Sequence, residues 1–84
     1  MDGEQVFQGY VLTSYGDVVG VAIHRYTSTS PDGSPRFDVY YGRGDSDDEL
    51  FTPDRFVQRF GLKLFSTMED FKRGNSVDAY KVLV

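Results

Sequence analysis

At 84 residues, with 39% hydrophobic and 15% aromatic side chains, the chain has room for one domain, and a domain this small buries roughly 60 to 65% of the surface its unfolded form exposes. It contains no cysteine, which excludes disulfide staples, thiolate zinc sites and thiol nucleophiles together. Its net charge of −4 opposes the broad attraction to phosphate backbones that drives non-specific nucleic-acid binding.

Val6 to Ser14 alternates, with Val6, Gln8, Tyr10 and Leu12 on one face and Phe7, Gly9 and Val11 on the other, as a half-buried strand does. Tyr15-Gly16-Asp17 is a turn signal, and the β-branched run from Val18 to Thr27 completes a predicted hairpin. Thr27 to Pro35 is polar around Pro31-Asp32-Gly33, where Pro fixes φ and Gly takes a left-handed position, so residues 27–35 read as a flexible loop. Arg36 to Gly42 alternates again, Phe37, Val39 and Tyr41 against Arg36, Asp38 and Tyr40, which predicts a third strand.

Residues 42–50 carry charge and glycine without period and read as a second loop. Thr52 is placed to cap a helix with Pro53 in its first position and Asp54 at the positive end of its dipole. Phe51 and Phe56 stand at the positions of a hydrophobic staple, Phe56, Val57 and Phe60 share a face, and Gly61 stops the helix. Leu62 to Phe65 is too short for its period to be read and is expected as an extended connector. Ser66 and Glu69 match a capping box for a two-turn helix closed by Gly74, and Ser76 to Val84 alternates as a final strand.

The expected fold is therefore α+β: an antiparallel meander sheet of three to five strands, with one or two short helices inserted before the last strand. The apolar end of that strand offers an edge on which a homodimer can pair. Met1 to Gln5 is acidic and leads into alternation without an apolar run of signal length, and nothing approaches the ~20 apolar residues of a membrane span. With the missing cysteines, this points to a cytoplasmic setting.

Motifs with chemistry are few. Gly42-Arg43-Gly44-Asp45-Ser46 matches an integrin-binding peptide, but recognition of that kind belongs outside the cell, so a solvated loop is the expectation. Asp45, Asp47, Asp48 and Glu49 offer oxygen ligands without the spacing of a calcium loop. His24, the one histidine, has no nucleophile supplied by the sequence around it, and neither glycine-rich segment is followed by the helix and lysine of a phosphate cradle. No enzyme, metal or cofactor is expected.

Seven phenylalanines and six tyrosines with no tryptophan weight the apolar share toward large rings, and phenolic hydroxyls prefer the edge of a core or an interface. Tyr10, Tyr26, Tyr40 and Tyr80, with Arg25 and Arg36, can stack bases if they share an open sheet face. Charge is uneven: four acids against one base between Arg43 and Leu50, then four acids against six bases from Phe51 onward.

The first functional expectation is a small non-enzymatic protein-interaction module, an adaptor or inhibitor such as phage and mobile elements encode. Tyr40, Tyr41 and Arg43 would anchor it, and Asp45, Asp47, Asp48 and Glu49 would steer it toward a basic partner surface. The alternative is a nucleic-acid-binding domain using Arg55, Arg59, Lys63, Lys72 and Arg73 together with the sheet aromatics.

Overall fold

The computed structural model describes residues 3–13, 15–42, 45–46 and 50–83. Among them the elements run in chain order β1 Gly3–Leu12, β2 Val18–Thr29, β3 Pro35–Tyr41, β4 Asp45–Ser46, α1 Pro53–Phe60, β5 Lys63–Phe65, α2 Met68–Arg73, β6 Val77–Asp78 and α3 Ala79–Val82. The strands form one sheet in the order β4-β3-β2-β1-β5-β6, antiparallel throughout. The α+β antiparallel architecture predicted from the sequence is thus the observed one, with two-residue strands extending both edges of the sheet. Among the described residues, no helix is long and apolar enough to cross a membrane.

The first three strands are a meander held by two local turns. Gly16 (φ 89°) donates its N–H to the Thr13 carbonyl at 3.0 Å and turns β1 into β2. At the second turn Ser30 N–H donates to Ser34 O and Gly33 N–H to Ser30 O, both at 2.9 Å. The Asp32 carboxylate accepts from the Ser30 hydroxyl and from Ser34 N–H. β2 therefore continues to Thr29, which pairs with Pro35, and the loop expected over residues 27–35 shrinks to this turn.

Alternation then sorts the side chains. Val11, Val21, Ile23, Phe37 and Val39 point to one face and are fully or almost fully buried, together with Phe51, Phe56 and Phe60 from the α1 region. Thr52 caps α1 through its hydroxyl, and Pro53 sits at the helix start. Backbone bonds of 2.8 Å in both directions between Phe37 and Phe51 fasten the entry of α1 to β3, so the phenylalanine stripe lands on the sheet. Gly61 ends the helix at φ 115°, where the Leu12 carbonyl approaches a position that a Cβ would fill.

Asp45–Ser46, inside the loop expected over residues 42–50, pairs with β3 as a strand, and three further sequence expectations change. Lys63–Phe65 is not a connector but a strand, paired with β1 at Tyr10 and Val11 and with β6 at Val77 and Asp78. The cap of α2 is Thr67, whose hydroxyl accepts from Asp70 N–H at 3.0 Å, one residue later than the Ser66–Glu69 box. The last strand stops at Asp78, which caps α3 by accepting from Tyr80 N–H at 2.8 Å. Ala79 and Leu83 explain this: four residues apart, they share a helix face and are both 0% exposed, while a strand would also have turned Lys81 inward. The apolar edge strand over residues 76–84 expected to pair two copies is not formed.

Candidate binding face on the sheet

The face of the sheet opposite the core carries Gln8 and Tyr10 from β1, Gly20, Ala22 and His24 from β2, and Asp38 and Tyr40 from β3, by alternation and register. Phe65 of β5 pairs with Tyr10 and lies on this face too. α2 covers it, the Phe71 ring meeting Phe65 edge-on at 5.2 Å. The helices therefore divide, with α1 and α3 closing the core and α2 capping the β5 end of the other face. Among the described residues, no helix covers the stretch from Tyr10 to Tyr40.

A groove of about 520 Å³ crosses that stretch, lined by Gln8, Tyr10, Gly20, Ala22, Tyr40 and Ser66 among others. Its shape follows from the register. Gly20 stands opposite Tyr10 and Ala22 opposite Tyr40. The middle strand thus presents almost no side chain, while its two neighbours, two strand spacings or about 10 Å apart, each raise a phenol ring. Among the described residues, no Lys, Arg, Asp or Glu belongs to the lining.

Beside the groove runs a chain of polar contacts. Gln5 Nε2 donates to Gln8 Oε1 at 3.3 Å, and Gln5 Oε1 lies 3.3 Å from His24 Nε2. Gln5 and Gln8 reach the same face because the β1–β2 register shifts at Val6, between Gln5 and Phe7. The His24 ring lies 5.4 Å from that of Tyr40, and the Tyr40 hydroxyl bonds the Asp38 carboxylate, which raises the phenol above its ordinary value of 10. Among the described residues no group of three or more His, Asp or Glu is placed to hold a metal ion.

The residues singled out from sequence are distributed rather than gathered. Tyr40 borders the groove, but Tyr41 points to the other side, its ring 5.3 Å from Phe60 and beneath the Arg59 guanidinium at 5.6 Å. The two cannot act as one anchor. Asp45 is described by its backbone, opposite Tyr41, with Ser46 opposite Tyr40. Arg43, Asp47, Asp48 and Glu49 lie outside the described residues.

The basic set is likewise split. Arg55 and Arg59 flank a hollow of about 240 Å³ on α1, over the core side of the sheet. Lys63 is on β5, and Lys72 and Arg73 are on α2, across the sheet from α1, with Arg73 3.3 Å from Glu69. Of the four sheet tyrosines, Tyr10, Tyr26 and Tyr40 share the open face, whereas Tyr80 lies on α3. Arg25 pairs with Phe37 on the core side and Arg36 alternates to the open one.

The sequence reading missed Gln8, Gly20, Ala22 and Ser66. The signal for two of them was present: Gly20 and Ala22 are small residues two apart in a strand otherwise rich in Val, Ile and rings. No family model, curated protein or solved structure matches the chain.

Proposed function

We propose that the chain is a non-enzymatic protein-interaction module, an adaptor or inhibitor, which binds a larger partner through the open face of its sheet. The observation that carries this is the trough over Gly20 and Ala22 between the rings of Tyr10 and Tyr40. Tyrosine supplies a large amphipathic contact area on two torsions, and it is enriched at interface cores where charged residues are depleted. Among the described residues the groove lining has that composition, and the strand ladder beneath it needs no ordering on binding.

The acidic run of the sequence is Asp45, Asp47, Asp48 and Glu49. Those carboxylates would steer a basic partner surface toward the chain. The absence of cysteine suits a reducing cytoplasm. Direct nucleic-acid binding has less support, because Arg55 and Arg59 stand on one side of the sheet and Lys72 and Arg73 on the other.

Site-specific photo-crosslinking tests the proposal. A photoreactive residue at Gln8, on the open face, should capture a protein in the source cell, whereas the same residue at Gln58, exposed on α1, should not. Capture from Gln58 alone, or oligonucleotide crosslinks from either position, would overturn it.

A further inference from the structure

The groove also constrains what lies in it. It crosses the strands, from Ser66 beyond β1 to Gly42 at the end of β3. Three strand spacings make that path about 14 Å. The strand amides and carbonyls under it are engaged in the ladders with neighbouring strands. A ligand strand laid across this face therefore has no backbone partners to pair with, which removes β-addition.

A helix satisfies its own backbone and seeks apolar anchors spaced along a hydrophobic groove. This floor offers Gly20 and Ala22, and its walls offer phenol rings, an amide and a hydroxyl. One class of segment needs what is present. A polyproline II helix has no internal hydrogen bonds, so its carbonyls require outside donors, and its pyrrolidine rings pack flat against aromatic walls. At ~3.1 Å per residue, a 14 Å path holds four or five residues. The lining that the described residues form is uncharged, which matches a segment whose own side chains are uncharged.

We infer that the groove between Tyr10 and Tyr40 seats a short proline-rich segment of the partner, in the extended polyproline II form. This rests on the open face being the binding surface. Tyr10 and Tyr40 clamp the pyrrolidine rings, and Gln8 and Ser66 donate to the segment's carbonyls.

The test is a titration of the isotopically labelled chain with an acetylated proline decamer, followed by amide spectra, with a glycine-serine decamer as the unstructured control. Saturable shifts confined to Gly9, Gly20, Ala22, Tyr40 and Gly42 are expected, with none from the control. Tyr10→Ala and Tyr40→Ala should each weaken binding about tenfold or more. Gly20→Val should do the same by filling the floor: its Cβ meets the Gly9 carbonyl oxygen and the Tyr10 ring at 3.9 Å, an ordinary contact, and a melting curve verifies that the variant is folded. Unshifted spectra, shifts elsewhere, or undiminished binding by a folded Gly20→Val chain would overturn the inference. If the decamer fails while crosslinking from Gln8 persists, the proline-rich occupant is wrong and the binding face stands. Loss of both removes the face as well.

Discussion

The hydroxyl of Tyr80 donates to Asp54 Oδ1 at 2.8 Å, joining the last described helix to the first turn of α1 across 26 residues of sequence. The bond to Asp54 raises the Tyr80 phenol above its ordinary value of 10. A group whose folded pKa is raised gives stability that is whole below the unfolded value and lost as pH climbs through the folded one. Tyr80→Phe should therefore melt below wild type at about pH 8, and the difference should shrink above about pH 10. A melting difference that stayed constant across that range would mean the bond contributes nothing.

At the acid end the corresponding device is the turn of β2 into β3. The Ser30 hydroxyl, with Ser34 N–H behind it, holds the Asp32 carboxyl down at about 2 from its usual 3.8. The sign is opposite: folded pKa below unfolded, so the contribution is present above 3.8 and lost as pH falls toward 2. Asp32→Asn should lower the melting temperature at neutral pH and match wild type at the acid limit. Equal melting of the two proteins at neutral pH would count against a structural role for the turn.

Where the sequence reading succeeded, the determinants were local. Thr52-Pro53-Asp54 and Gly61 bound α1 by their own chemistry, and period-two alternation suffices for β1 to β3. Where it failed, the determinants were distant. Lys63–Phe65 is shorter than any readable period and is a strand only because β1 and β6 flank it. Ser66 and Thr67 offer equivalent hydroxyls, and α2 begins only after the strand through Phe65 has run its length. The groove is a fact of register, since Tyr10 and Tyr40 acquire a shared trough only when Gly20 and Ala22 fall opposite them.

The end of the chain tests this reading directly. Leu83→Ala should cost about 2–4 kcal/mol in urea unfolding, because a fully buried leucine leaves a cavity among core side chains. Lys81→Ala should be close to neutral. In a strand the two residues would share a face, so comparable losses would contradict the helix.

Two glycines with positive φ separate strain from collision. Gly74 sits at φ 75° with nothing within 4 Å of an added Cβ, so Gly74→Ala should cost only the left-handed penalty, about 1 kcal/mol. Gly61, at φ 115°, would bring a Cβ to 2.7 Å from the Leu12 carbonyl oxygen. Gly61→Ala should exceed the Gly74 variant by about 2 kcal/mol or more, a large part of the stability of a domain this size. Equal unfolding midpoints for the two variants would show that β1 yields at Leu12.

Tyr40 and Tyr41, adjacent in sequence, should part in function. The Tyr41 ring is held between Phe60 and the Arg59 guanidinium on the core side, so Tyr41→Ala should lower stability by about 2 kcal/mol while leaving the open face intact. The Tyr40 ring is 36% exposed and borders the groove, so Tyr40→Ala should leave unfolding almost unchanged and abolish capture of the partner from a crosslinker at Gln8. Tyr40→Phe keeps the wall and removes only the bond to Asp38, so it should retain capture. The opposite pattern, with capture surviving Tyr40→Ala and lost with Tyr41→Ala in a protein still folded, would move the binding surface to the α1 side, where Arg55 and Arg59 flank Phe51.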